Sequence, residues 1–131
     1  MDREEPKVLV VDDDEALCSL LNYKFSKRGY EIVRAFDGMR ALEYLGKVQF
    51  DLMVLDIMMP KMDGFQLLRR LNDGEGNRPG AIVILSARGD EDVILEAFGL
   101  GAIDYVTKPF SMDVLMARVD VALKHKISSA G

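Results

Sequence analysis

The sequence predicts an α/β protein built as a three-layer sandwich, with a five-stranded parallel sheet between two layers of helices. Three observations lead there. Three of the five short β-rich runs are continuously apolar, as strands are when helices cover both faces of a sheet. Segments with helical periodicity alternate with those runs. The alternation fills 131 residues, the size of one ordinary domain with a sufficient core.

The elements follow in order. Lys7-Val8-Leu9-Val10-Val11 forms the first strand, and Leu17, Leu20, Leu21 and Phe25 then repeat at i, i+3, i+4 and i+8, the spacing of an apolar helix face. Gly29 closes that helix. The second run, Tyr30-Glu31-Ile32-Val33, is interrupted by Glu31 and Arg34 and reads as an edge strand. Ala41, Leu42 and Leu45 mark the second helix, which Gly46 ends. Leu52-Met53-Val54-Leu55 is the third strand, and a third helix is expected from about Asp63 to Leu71. The segment from Asp73 to Gly80 has turn chemistry. Ala81-Ile82-Val83-Ile84-Leu85 makes the fourth strand, with a helix near Glu91 to Leu100 after it. A short strand from Ile103 to Thr107 and a last helix from about Ser111 to Lys126, with Ser111 as N-cap, complete the pattern. A single domain over residues 1–131 is expected, with a core of about 7–124; residues 127–131, small and polar, read as a frayed end or truncated linker.

Composition excludes several functions. With 17 Lys+Arg against 22 Asp+Glu the net charge is −5, the wrong sign for direct nucleic-acid binding, which needs a basic surface to displace counterions from phosphates. No apolar run approaches the ~20 residues of a membrane-spanning helix, so no membrane role is expected. Cys18 is the one cysteine, which rules out an intramolecular disulfide, and the acidic, polar start carries no signal-peptide pattern. These features predict a cytoplasmic protein.

Right-handed crossovers in such a sheet place a ligand site beyond the carboxyl ends of the strands, at a topological switch point. The first strand ends in Asp12-Asp13-Asp14-Glu15, the third in Asp56, the fourth in Ser86 and the fifth in Thr107-Lys108-Pro109. Helix capping accounts for Asp14 and Glu15. It does not account for Asp56, which follows a wholly apolar strand and precedes Ile57-Met58-Met59-Pro60, well before any helix cap is needed. Clustered carboxylates repel one another unless a cation is present. An oxygen-only donor set suits Mg²⁺, and no His- or Cys-rich cluster points to zinc. A lysine opposite the acids and a hydroxyl at Ser86 complete a pocket suited to a phosphoryl group carried on a carboxylate.

These residues resemble the receiver domain of two-component response regulators. Val8-Leu9-Val10-Val11-Asp12-Asp13 is similar to the family's first strand and acidic pair, and Asp56-Ile57-Met58-Met59-Pro60-Lys61-Met62-Asp63-Gly64 to its D-x-x-M-P-x-x-D-G segment. Ile84-Leu85-Ser86-Ala87 and Asp104-Tyr105-Val106-Thr107-Lys108-Pro109-Phe110 resemble its other two motifs, so the likeness runs from about Lys7 to Lys124. The resemblance implies a flavodoxin-like doubly wound sheet of order 2-1-3-4-5. It implies that Asp56 is the phosphoacceptor for a histidine kinase or phosphotransfer protein. Asp12, Asp13, Asp56 and the backbone carbonyl of Met58 would be the Mg²⁺ ligands, with Lys108 bridging to the phosphoryl oxygens through a cis Lys108–Pro109 peptide. Ser86 and Tyr105 would be the switch pair, and Met58 and Arg88 would tune how water reaches the phosphoryl group. An apolar Met58 and an Arg88 that can cover the phosphoryl oxygens predict slow self-dephosphorylation.

The helix from Val93 to Leu100 is apolar nearly all round, and Val114 and Val121 lie off the Leu115, Val119, Ala122 face of the last helix. The resemblance makes this the output surface. Ile94, Ile103 and Val114 stand where charged residues are frequent among receivers joined to winged-helix domains, so an apolar homodimer or output-partner patch is expected there, beside the plainer reading that short helices bury more than one face. Cys18 reads as a core or boundary residue and His125 as a solvated helix end. Two other chemistries fit less well. An aspartyl phosphohydrolase needs a second carboxylate where Met58 stands, and a mononucleotide binder needs phosphate donors where Asp12-Asp13-Asp14 would repel the phosphate. A degenerate receiver used only for docking is disfavoured by the complete acidic pocket.

Overall fold

A computed structural model describes the backbone of residues 5–130 and the side chains through Lys124. The elements alternate as expected: β1 (Lys7–Val11), α1 (Glu15–Lys27), β2 (Glu31–Ala35), α2 (Gly38–Leu45), β3 (Leu52–Leu55), α3 (Gly64–Asn72), β4 (Ala81–Ser86), α4 (Glu91–Gly99), β5 (Asp104–Thr107) and α5 (Met112–Ala130). The strands pair in parallel in the order β2-β1-β3-β4-β5. The His125 side chain lies outside the described residues.

Strand alternation divides the core in two. Leu9, Val11, Met53, Leu55, Ile82 and Ile84 face a layer containing Ala41 and Leu45 of α2, Leu67 and Leu68 of α3, and Val93 and Ala97 of α4. Val8, Val10, Leu52, Val54, Val83 and Leu85 face Cys18, Leu21 and Phe25 of α1 and Leu115, Met116 and Val119 of α5. β1, β3 and β4 therefore need apolar residues at every position except the first of β1 and the last of β4, which is why their runs are continuous. β2 is half-covered, as an edge strand should be.

Four local expectations change. β2 runs Glu31–Ala35 because each residue of β1 takes a partner there, from Lys7 with Glu31 to Val11 with Ala35. Tyr30 instead closes the end of α1, its N–H donating to the Phe25 carbonyl. Leu20 is 45% exposed, and Cys18 takes its place on the buried face of α1 with Leu21 and Phe25. The last helix does not stop near Lys126: α5 continues to Ala130, since Ile127-Ser128-Ser129-Ala130 contains no glycine or proline to end it. β4 gains Ser86 because Ser86 pairs with Thr107 of β5.

The caps were foreseeable. Asp63 begins α3 with a reciprocal capping box, accepting from the Gln66 N–H at 2.9 Å while Gln66 Oε1 accepts from the Asp63 N–H at 2.9 Å. Ser111 Oγ accepts from the Val114 N–H at 3.3 Å at the start of α5. Arg28 and Tyr30 both donate to the Asp120 carboxylate, tying the end of α1 to α5. Burial and that carboxylate push the Tyr30 phenol up to about 12.

Gly64 fixes how closely α3 approaches the end of β3. Its N–H donates to the Ile57 carbonyl at 2.9 Å, and a Cβ there would lie 2.7 Å from Ile57 Cα and 2.8 Å from the Asp56 carbonyl oxygen. Both neighbours are backbone and cannot turn aside. Gly64→Ala is therefore expected to destabilise the fold by roughly 1–3 kcal/mol, the usual cost of overpacking, and urea denaturation measures it.

Candidate functional site

β1 and β3 are neighbours in the sheet but not in sequence, and the strand order reverses between them. Val11 pairs with Leu55, so the residues that follow, Asp12 and Asp56, emerge side by side. The Asp12 N–H donates to the Ala35 carbonyl at 3.1 Å and the Asp56 N–H to the Val11 carbonyl at 2.9 Å, continuing the backbone ladder under both. On the other side, Thr107 pairs with Ser86, and the Lys108 N–H donates to the Ser86 carbonyl at 2.8 Å. The Lys108–Pro109 peptide is cis.

Among the described residues the only buried polar side chains are Asp12, Asp56 and Ser86, all at this edge of the sheet. One oxygen from each of Asp12, Asp13 and Asp56 can be chosen so that all three lie within 4.8 Å of one another. Asp13 is exposed and forms the outer rim. Lys108 Nζ sits 2.8 Å from Asp12 Oδ2 and 3.4 Å from Asp56 Oδ2. The other oxygens are held by backbone: Asp12 Oδ1 accepts from the Asp14 N–H and Asp56 Oδ1 from the Met58 N–H, each at 2.9 Å. Both buried carboxylates are thus fixed at two points.

Burial raises the Asp56 pKa; the Met58 N–H and Lys108 pull it down, Asp12 pushes it up again, and the net shift is upward. For Lys108, burial acts downward, but its bonds to Asp12 and Asp56 outweigh that and hold the ammonium above its ordinary value. The Cys18 thiol, 3.4 Å from the Asp12 carbonyl, is pushed up to about 11 by burial and then by the Asp12 charge, so it stays a protonated packing group. Three carboxylates against one ammonium leave an excess of negative charge, and all their donor atoms are hard oxygens. The residues present fit a divalent cation.

The remaining predicted residues border this pocket. Ser86 Oγ accepts from the Arg88 N–H at 3.2 Å, and the Tyr105 hydroxyl donates to the Arg88 carbonyl. The Arg88 guanidinium does not turn to the acids: it forms a two-point pair with Asp90, Nε to Oδ1 at 3.1 Å and Nη2 to Oδ2 at 2.9 Å. Met58 is 48% exposed beside Asp56. The sequence reading has no role for Gly64 or Asp90. Gly64 is signalled by its place after the Asp63 cap and as the last residue of the D-x-x-M-P-x-x-D-G segment, and Asp90 by lying two residues past Arg88 before a helix.

A model of the response regulator receiver domain matches residues 8–120. The chain belongs to that family. Receiver-containing relatives include the alkaline phosphatase synthesis transcriptional regulatory protein PhoP of Bacillus subtilis, 40% identical over 90% of this chain and 48% of that protein. The phosphate regulon transcriptional regulatory protein PhoB of Rhizobium meliloti is 40% identical over 91% of the chain and 52% of its own length. The chain spans about half the length of the curated relatives it matches. Among solved structures, the receiver domain of the Francisella response regulator 1452 superposes with a TM-score of 0.80 at 38% identity, covering 92% of this chain and 98% of that one. The receiver fold and its strand order are those expected from the motifs.

The raised Asp56 pKa has a consequence for stability. The unfolded carboxyl ionises at its ordinary value while the folded one ionises at higher pH, so the native state is progressively penalised as pH rises between the two and carries the full penalty above the folded value. Asp56→Asn removes it. In a divalent-free buffer at pH 7 the variant should therefore melt at a higher temperature than wild type. The gain should vanish near pH 3 and shrink when Mg²⁺ is added, as read by thermal melts.

Proposed function

We propose that this receiver domain accepts a phosphoryl group on Asp56 from a phosphohistidine of a histidine kinase or phosphotransfer protein, in a Mg²⁺-dependent reaction. The observation that carries this reading is the convergence of three buried polar side chains, Asp12, Asp56 and Ser86, on one strand edge beside Lys108. Buried polar groups are costly unless satisfied, and a fold that places three of them together at a switch point has built a site.

An Asp56 carboxylate oxygen attacks phosphorus, the P–N bond to the donor imidazole breaks, and its electron pair returns to the ring nitrogen. The product is an acyl phosphate on Asp56. Such a transfer needs positioning and charge neutralisation more than covalent help. The Met58 N–H fixes the carboxylate through Oδ1 and leaves Oδ2 facing Lys108. Lys108 supplies a fixed positive charge that moves from Asp56 to the phosphoryl oxygens. Asp12, Asp13, Asp56 and the Met58 carbonyl are the groups assigned to Mg²⁺, which when bound neutralises the charge of the transferring group. The domain catalyses its own phosphorylation and dephosphorylation and is otherwise a signalling module of the cytoplasm.

Phosphorylation brings roughly −1.5 to −2 units of charge to the edge of the sheet. Ser86 can donate its hydroxyl proton to the new oxygens, breaking its present role as acceptor for the Arg88 N–H, and Tyr105, half-buried with its hydroxyl on the Arg88 carbonyl and beside the Ser86 side chain, follows that movement. The output surface is α4, β5 and α5. There Leu95, Phe98, Val114 and Val121 are 61%, 43%, 46% and 64% exposed, while Ile94 and Ile103 are half-buried. An apolar patch of this kind suits a second copy or an output partner better than charged pairing does. The net charge of −5 keeps nucleic acid out of the role of direct ligand for this domain. The named relatives are transcriptional regulators, and control of such an output is the biological role this reading assigns.

Intact mass after incubation with a small phosphodonor and Mg²⁺ tests the central step. Wild type should gain the mass of one phosphoryl group and Asp56→Asn none; equal labelling, or none in either, overturns the assignment. With an apolar Met58 beside the acceptor, the labelled protein should lose its phosphoryl group over minutes or longer, and a half-life of seconds would contradict that.

A further inference from the structure

Four helices of this protein begin at an aspartate, and three of those aspartates cap in the ordinary way. Asp14 Oδ1 accepts from the Leu17 N–H at 3.1 Å, Asp37 Oδ1 from the Arg40 N–H at 2.8 Å, and Asp63 Oδ1 from the Gln66 N–H at 2.9 Å. Each closes on the third amide of its helix. Asp90 occupies the same position before α4 with an extended backbone, φ −65° and ψ 140°, yet its side chain makes no cap hydrogen bond. Both of its oxygens are taken by the Arg88 guanidinium instead. The cap of α4 is diverted, and its third amide, the Val93 N–H, lacks the partner that its counterparts have.

Arg88 itself is held between the two switch residues. Its N–H donates to Ser86 Oγ, and its carbonyl accepts from the Tyr105 hydroxyl. Any event that moves Ser86 and Tyr105 moves the peptide groups on both sides of Arg88. The Arg88–Asp90 pair is exposed, so it is weak and easily exchanged for a stronger anion. A phosphoryl group on Asp56, at the strand edge that Ser86 shares two residues before Arg88, is such an anion: it carries more charge than a carboxylate and matches the planar guanidinium fork.

Resting on the phosphoacceptor reading of Asp56, we propose that Asp90 is a switchable helix cap. Without a phosphoryl group Arg88 holds Asp90 away from α4. With one, Arg88 transfers to the phosphoryl oxygens and the freed Asp90 carboxylate accepts from the Val93 N–H, closing the first turn of α4. Arg88 is the positioning residue, and the capped α4 is the form presented to the partner. The exchange moves one cation between two anions and breaks no covalent bond. It gives the output helix a signal through its own N-terminus, in addition to the Ser86 and Tyr105 movement.

Amide hydrogen exchange at Val93, followed by NMR with and without Mg²⁺ and beryllofluoride as phosphoryl mimic, tests the proposal. In wild type the mimic should slow exchange at Val93 on the order of five-fold, the ratio that an ordinary N-cap confers. Arg88→Ala frees Asp90 permanently, so Val93 should already be slow without the mimic and unchanged by it. Asp90→Asn keeps a capping side chain but loses the charged pair, and should match Arg88→Ala at Val93 while binding the mimic more tightly than wild type. Asp90→Ala should keep Val93 fast in every condition. A wild-type Val93 that does not respond although Ser86 and Lys108 resonances shift with the mimic overturns the cap exchange alone, as does a Val93 in Arg88→Ala that stays as fast as in unliganded wild type. If no resonance near Asp56 shifts at all, the phosphoacceptor reading has failed and the proposal with it.

Discussion

Two buried carboxylates share one ammonium group in this protein, and most of the structure can be understood as what is needed to hold them there. Lys108 touches Asp12 at 2.8 Å and Asp56 at 3.4 Å, and neither acid has a second cationic partner among the contacts of the described residues. Two charges of one sign in a poorly solvated place are stable only if geometry is rigid and every lone pair is occupied. The backbone meets that requirement. Asp12 is fixed by the Asp14 N–H and Asp56 by the Met58 N–H, both local turns, while the strands beneath are locked by apolar cores on both faces of the sheet. Gly64 lets α3 close onto the Asp56 carbonyl without displacing it. The residual negative charge is the property a divalent cation can exploit, and it is present before one arrives.

Much of this was readable from the sequence because parallel sheets impose a simple code. Buried on both faces, Val8 to Val11, Leu52 to Leu55 and Ala81 to Leu85 had to be apolar throughout, so a carboxylate or hydroxyl directly after them could not be part of the same pattern. Asp12, Asp56, Ser86 and Lys108 therefore stand out by position, and strand register alone brings them together. The first turn of each helix was equally plain at Asp63 and Ser111, where capping chemistry is local.

What the sequence did not disclose depends on three-dimensional choices between similar residues. Periodicity put Leu20 on the buried face of α1, but the helix is rotated so that the smaller Cys18 packs under β1 and Leu20 faces out. The α-helical spacing permits either, and only the sheet it rests on decides. The small, polar residues after Lys126 suggest a frayed end or linker, but without a glycine or proline before Gly131 nothing stops the helix, and α5 runs to Ala130. The Arg88 side chain is the most telling case. Its position two residues past Ser86 directed it to the pocket, whereas the nearest anion that it reaches in the resting molecule is Asp90.

The helices are not held equally, and the inequality falls on the side where signalling is expected. α1 and α3 each bury three apolar side chains against the sheet, whereas α4 buries only Val93 and Ala97, no more than the Ala41 and Leu45 of α2. Its other attachments are polar and peripheral: Glu96 to Arg69 of α3, and the Leu100 carbonyl to Asn72 and Arg78, both at 3.3 Å. Exposed pairs of this kind contribute little each. A helix with a small apolar footprint needs little free energy to move, and a single charged group at the sheet edge can supply that amount through Ser86, Tyr105 and Arg88. Val93 and Ala97 pack in the same core as Leu55, the residue that precedes Asp56, which keeps the helix against the sheet edge that carries the site. The chain thus combines a rigid pocket, suited to the proposed phosphoryl chemistry, with one lightly anchored helix beside it, suited to the proposed response, and the continuous β3 and β4 core joins the two.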